Sequence, residues 1–272
     1  VSQDLDTDLS VRRIGQPPGQ APTLVWLHGL TDSATGWPGA ERAWGSTYSI
    51  IAVDQRGHGH SPRFTTEQLD RHPGEVMVDD AVRILEQLPA PPVLVGHSLG
   101  GAVALTAAVR RPELVRALVI EDPAPLGPGD PQRDPAQGEE FAAGVRDSLA
   151  AGDDDELLRV RKEKHSDWAD DELLASGRAE QQMDLAYLRH GDFKPVTTWP
   201  QLFAAVSVPT LVVSGDQLDE VCITDAVEAG IAGIGNAHVR VVRIPGSAHC
   251  IRREQPAAFY AAVDDFLHQH RG

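Results

Sequence analysis

Along this chain, short apolar runs alternate with stretches in which apolar residues recur at helical spacing. The runs at 22–29 (PTLVWLHG), 48–54 (YSIIAVD), 91–98 (PPVLVGHS), 115–122 (VRALVIED), 208–216 (VPTLVVSGD) and 238–246 (HVRVVRIPG) have strand length and are bounded by Pro, Gly or Asp. Their hydrophobicity is nearly continuous rather than alternating, so each predicts a strand covered on both faces. That pattern belongs to a parallel sheet between helical layers. Weaker alternation at 9–15 (LSVRRIG in its apolar part) predicts an edge strand opening a hairpin, and helices are predicted over 75–88, 100–110, 224–233 and 256–269. The fold class read from this is α/β, a mostly parallel central sheet with helices on both faces.

Residues 124–206 break the alternation. They begin with APLGPGDPQRDP, too rich in Pro and Gly for regular structure, and continue with charged helical segments near 137–151, 153–166 and 170–190. No strand-like run interrupts them. The reading is a core in two parts, 1–123 and 207–272, with 124–206 as a helical cap inserted over the carboxyl edge of the sheet.

Composition narrows the function. The chain has 272 residues, enough for one sizeable core plus an insertion, with 41% hydrophobic and 24% charged residues. A formal charge of −16, with only three lysines (Lys162, Lys164 and Lys194), argues against nucleic acid as a partner. No run of 18 apolar residues predicts a membrane span, and the N-terminal VSQDLDTDLS is acidic where a signal peptide is basic and then apolar. The compartment defaults to cytoplasmic, with a processed secreted form left open by the valine at position 1. Two cysteines, Cys222 and Cys250, are too few for a disulfide framework and lack metal-site spacing, so free thiols are expected.

The chemistry is carried by Gly96-His97-Ser98-Leu99-Gly100, where a buried strand ends on a serine between small residues and a helix follows. G-x-S-x-G allows a sharp strand-to-helix turn that projects the hydroxyl beyond the sheet, beside free helix N-terminal amides suited to an oxyanion. A serine needs a base. Of 11 histidines, His249 in RIPGSAHC is best placed, after the last strand and before the last helix. The orienting carboxylate is expected after PTLVVSGD, with Asp216 at the strand end favoured over Asp219. Asp122, ending VIED, is a third candidate, for which capping the turn before Pro123 is the stronger reading.

Taken together, these features resemble the α/β-hydrolase superfamily over nearly the whole chain. HGLTDSATGW (28–37) is similar to its oxyanion loop, DQRGHGHS (54–61) to its supporting turn, GHSLGG to its nucleophile elbow and PGSAHCIRREQPAAF (245–259) to its histidine loop and last helix. The resemblance implies Ser98 as nucleophile, His249 as base, Asp216 as acid with Asp219 as the alternative, and the backbone amides of Leu30 and Leu99 as the oxyanion hole. Many relatives place the acid three residues after the strand-end glycine, here Leu218; GDQLDEVCIT is similar to a subset that places it directly after. Arg56, Gly57, Gly59 and His28 are then supporting residues. The loops of Cys222 and Cys250 would be neighbours in such a fold, close enough to consider a disulfide.

The expected reaction is hydrolysis of a small to medium apolar or aromatic carboxylic ester or lactone, with no metal or other cofactor. Trp168, Met183, Tyr187, Leu188 and Trp199, with Phe193, are candidates for the substrate wall; packing of the cap on the core is their alternative role. Trp37 in the oxyanion loop is ambiguous in the same way. Cofactor-free haloperoxidase or perhydrolase chemistry, carbon-carbon bond hydrolysis and, less so, a ligand-binding receptor are the rival readings. The oligomeric state is open.

Overall fold

Seven strands form one sheet in the order β1-β3-β2-β4-β5-β6-β7, in a computed structural model that describes residues 5–271. Residues 1–4, part of the acidic stretch read against a signal peptide, lie outside the described residues. The strands are β1 (Val11–Gly15), β2 (Thr23–Leu27), β3 (Ser49–Val53), β4 (Val93–His97), β5 (Ala117–Glu121), β6 (Thr210–Gly215) and β7 (Val239–Ile244). All neighbours are parallel except β1 and β3. The expected edge strand is therefore present, but it pairs with β3 and not in a hairpin with β2.

The continuous apolar runs have a direct explanation. On β2, Leu24 and Trp26 enter one buried cluster with Trp37, Trp44 and Phe259, while Val25 and Leu27 enter the opposite one with Val103, Ile84 and Phe203. Successive side chains point to opposite faces, and both faces are covered, so neither set can be polar.

Helices α1 (Pro38–Trp44), α2 (Thr66–Asp70), α3 (Pro73–Leu85) and α4 (Leu99–Arg110) fall in the first part of the chain. Between β5 and β6 the chain is helical: α5 (Pro135–Gly144), α6 (Arg146–Ala150), α7 (Asp154–Lys164), α8 (Asp170–Gln181), α9 (Leu185–His190) and α10 (Trp199–Ala205). Helices α11 (Asp225–Ile234), α12 (Ile251–Glu254) and α13 (Pro256–Gln269) complete the chain. Three aspartates of the inserted segment are helix caps. The side chains of Asp134, Asp153 and Asp184 accept from the first free amides of α5, α7 and α9. The cap at Asp184 also explains why the helical pattern over 170–190 is two helices. Among the described residues no helix is long and apolar enough to cross a membrane.

Candidate active site

The loops that leave the carboxyl ends of β2, β4, β5, β6 and β7 converge on one crevice, the usual place for a ligand in such a sheet. Ser98 stands directly after β4, at φ 52° and ψ −116°, an uncommon backbone conformation for a residue with a side chain. The turn needs glycine on both sides. A Cβ on Gly100 would lie 2.2 Å from the Leu27 carbonyl oxygen, and one on Gly96 would lie 2.5 Å from that of Gly100. Neither the Leu99 N–H, at the start of α4, nor the Leu30 N–H has a hydrogen-bond partner among the described residues, and both residues line the crevice with Ser98. The Ser98 hydroxyl likewise makes no hydrogen bond there; such contacts often close only around substrate.

His249 lies in the loop between β7 and α12, and its Nδ1 is 2.6 Å from Asp122 Oδ2. Here the structure departs from the sequence expectation. Asp216 is exposed and its Oδ1 accepts the Gly246 N–H at 2.9 Å, so it braces the turn before the histidine without touching the ring. Asp219 is exposed at the rim of the crevice. Asp122, in contrast, is fully buried at the end of β5 at φ 35°. Its Oδ1 accepts from Ser214 Oγ at 2.8 Å and the Ile223 N–H at 3.1 Å; its Oδ2 accepts from the Cys222 N–H at 2.8 Å as well as from His249. The loop after β6, where the acid was expected, instead folds its backbone around the acid of the neighbouring strand.

Burial opposes a charge on His249, but the Asp122 hydrogen bond, aided by Cys222, outweighs it and holds the pKa well above 6.5. His97 lies beside it, ring centroids 4.8 Å apart, and burial followed by the charges of Arg252 and His249 holds it well below 6.5. Neutral His97 donates from Nε2 to the His249 carbonyl oxygen at 3.1 Å, and so fixes the histidine loop.

The expected supporting residues have visible partners. His28 accepts the Gln55 N–H at Nε2 and donates from Nδ1 to the Gly29 carbonyl, which fixes its tautomer. Arg56 pairs with Asp80 and Asp8. One network escaped the sequence reading. Asp32 accepts from Arg252 Nη2 and Arg253 Nη2, each at 2.9 Å, while Arg252 also binds Glu121 and Arg253 also binds Glu172 of α8. Arg252 stacks over Trp37 and Arg253 over Trp168. Buried charges must be paired, and this set ties the Leu30 loop, the histidine loop and the inserted helices together. The tandem RR directly after the histidine loop was the only sequence signal of it.

The crevice encloses about 500 Å³. Trp168 and Phe193 line it as expected, beside Leu30 and Leu99 of the expected oxyanion hole, and Phe141 and Val221, which the sequence did not single out, join them. Met183, Tyr187 and Leu188 are buried in the core cluster, and Trp199 packs against it with its ring over Gly230. These four serve packing, not the wall. Trp37 is fully buried under Arg252. Cys222 and Cys250 are both free thiols, which corrects the idea of a disulfide.

Comparison with known proteins agrees with this architecture. The mouse (Mus musculus) sn-1-specific diacylglycerol lipase ABHD11 is 28% identical over 277 residues, covering 90% of this chain and 81% of that protein. A putative esterase/lipase of Haemophilus influenzae is 34% identical over 106 residues, 39% of this chain, so the match spans only about a third (35%) of that relative's length. The crystal structure of an E-2-(acetamidomethylene)succinate hydrolase superposes with a TM-score of 0.75 at 21% identity, over 95% of this chain and 94% of that one, a likeness of fold. The sequence model of the alpha/beta hydrolase family matches residues 24–263, and with this sheet order, elbow and histidine loop the chain belongs to the alpha/beta hydrolase family.

Proposed function

We propose that this protein is a serine hydrolase that cleaves small to medium apolar or aromatic carboxylic esters or lactones through an acyl-enzyme on Ser98. The observation that carries the reading is the 2.6 Å hydrogen bond from buried Asp122 to His249, which lines the crevice together with Ser98 and the two residues whose backbone amides are free. His249 takes the Ser98 proton as the oxygen attacks the carbonyl carbon. Asp122 keeps the Nδ1–H tautomer and stabilises the imidazolium. The Leu30 and Leu99 amides receive the oxyanion, collapse of the tetrahedral species passes the proton from His249 to the leaving alkoxide, and water activated by the same histidine releases the acid. Asp122 replaces Asp216 as the acid in this mechanism.

The substrate class rests on the wall. A crevice of about 500 Å³ suits a small ligand, and Leu30, Leu99, Phe141, Trp168, Phe193 and Val221 supply apolar surface in a lining that also carries charged side chains such as Arg161 and Lys194. Phe141 and Phe193 come from the segment between β5 and β6, which acts as the cap that shapes specificity.

The test is hydrolysis of a graded series of aryl esters and lactones by the wild type and by Ser98→Ala. Turnover that falls by at least about 10³-fold in the variant is the expected result. Ester hydrolysis unchanged in Ser98→Ala overturns the mechanism. Peroxide-dependent oxidation or diketone cleavage that depends on Ser98, in place of ester turnover, would keep the nucleophile and overturn the substrate class.

A further inference from the structure

The Cys222 thiol makes and breaks no bond in the proposed acyl transfer, yet it lies beside the proposed acid and base. Its Sγ is 3.9 Å from His249 Nδ1, and one ligand atom each from Asp122, Cys222 and His249 lie within 4.8 Å of one another. A thiolate, an imidazole nitrogen and a carboxylate oxygen are the donor types that zinc takes in four-coordinate sites. The spacing can be checked. With Zn–S of about 2.3 Å and Zn–N and Zn–O of about 2.0–2.1 Å, tetrahedral angles put sulfur and nitrogen roughly 3.6 Å apart and nitrogen and oxygen roughly 3.3 Å apart. The observed S···N distance of 3.9 Å is within a few tenths of an ångström of that value. The N···O distance of 2.6 Å has to open by roughly 0.7 Å. A small swing of the partly exposed His249 ring achieves it, since the ring is 32% exposed while Asp122 is held by Ser214 and Ile223.

We propose that Asp122, Cys222 and His249 form an inhibitory site for one thiophilic divalent cation, with Zn2+ and Cd2+ as the ions that fit. Asp122 is already oriented by hydrogen bonds from other groups, as carboxylate ligands of metal sites generally are. Cys222 is exposed and lines the crevice, so the ion enters from solvent and water completes its coordination. Binding releases the thiol proton of Cys222 to solvent, and the ion takes His249 Nδ1 while the proton of the neutral ring passes through solvent from Nδ1 to Nε2. The neutral ring then carries its proton on Nε2 and can no longer take one from Ser98. Metal binding and hydrolysis exclude each other. The inhibition rests on the serine-hydrolase reading above; the binding itself does not.

The two are separated by reading binding and rate independently. Metal-free protein is titrated with Cd2+ while the ultraviolet thiolate-to-cadmium charge-transfer band is followed, and Zn2+ is used as the competitor. In parallel, ester hydrolysis at increasing Zn2+ is expressed relative to each protein's own metal-free rate. The expected result is one Cd2+ per chain with a band that Zn2+ abolishes, retained in Cys250→Ala and lost in Cys222→Ala. Half-inhibition of hydrolysis by Zn2+ should move to at least about tenfold higher concentration in Cys222→Ala. A band that is missing in the wild type, or that persists in Cys222→Ala, overturns the site. Equal Zn2+ sensitivity of wild type and Cys222→Ala overturns the inhibition. If no ester is turned over at all, the hydrolase reading fails while the band still decides the site.

Discussion

Replacing Asp122 by asparagine should damage both catalysis and stability, because no orientation of the amide satisfies the groups around it. The carboxylate accepts four hydrogen bonds, two per oxygen, and each oxygen faces one backbone N–H: Cys222 on the Oδ2 side and Ile223 on the Oδ1 side. An amide NH2 on either side meets one of these donors, so one buried N–H loses its partner, at a cost of about 1–3 kcal/mol. With the NH2 toward His249, the ring is driven to the wrong tautomer, for which a loss of about 10⁴-fold in kcat, roughly 5.5 kcal/mol, is expected. With the oxygen toward His249, the tautomer survives but the negative charge beside the imidazolium is gone, and a smaller loss of about 10²-fold is expected. Asp216→Asn is the control. Its carboxylate is exposed and accepts the Gly246 N–H, a role the asparagine oxygen fills, so kcat/KM should change by less than about threefold. The assay is steady-state aryl-ester hydrolysis with urea unfolding of each variant. A variant pair with the reverse order, Asp216→Asn crippled and Asp122→Asn intact, would refute the assignment.

Other consequences follow from the same geometry. His249 must be neutral to accept the Ser98 proton, and its pKa is held well above 6.5, so activity should disappear as pH falls through a midpoint above 6.5; in Asp122→Asn that midpoint should move to lower pH. For stability the sign is opposite: the raised histidine stabilises the fold below about pH 6.5, and that contribution fades as pH rises through its folded pKa, which unfolding of wild type and His249→Ala across pH would reveal. Arg253→Met removes a partner from the buried carboxylates of Asp32 and Glu172 and should cost roughly 3 kcal/mol or more in urea unfolding, whereas a loss below about 1 kcal/mol would show that the network is not shared as described. Gly100→Ala places a methyl 2.2 Å from the Leu27 carbonyl oxygen, so a loss of about 1–3 kcal/mol and a fall in kcat are expected, measured by unfolding and ester turnover.

Much of this protein could be read from local pattern. Each of the six long apolar runs becomes a strand; β2 to β6 are covered on both faces and almost wholly buried, while β7 at the sheet edge keeps Arg240 exposed. The serine elbow is nearly as legible, since the motif carries its own strand and helix; Gly96 answers a local contact with the Gly100 carbonyl, whereas Gly100 answers the Leu27 carbonyl of the neighbouring strand. The place of His249, in the loop after the last strand, is legible in the same way. The carboxylate beside it was different. Which of Asp122, Asp216 and Asp219 meets the histidine depends on how far the loop after β6 travels and which way its amides point. That is settled by contacts between residues about 100 positions apart, such as Cys222 N–H on Asp122. The crevice lining was similarly out of reach, since Tyr187 and Phe193 lie in the same inserted segment and the same buried cluster, yet only Phe193 also lines the crevice. The pairing of Arg252 and Arg253 with Asp32, Glu121 and Glu172 also joins segments that the sequence keeps apart. Periodicity and turn chemistry act between near neighbours and are written in the order of residues; the partner of a buried charge is chosen by packing in three dimensions.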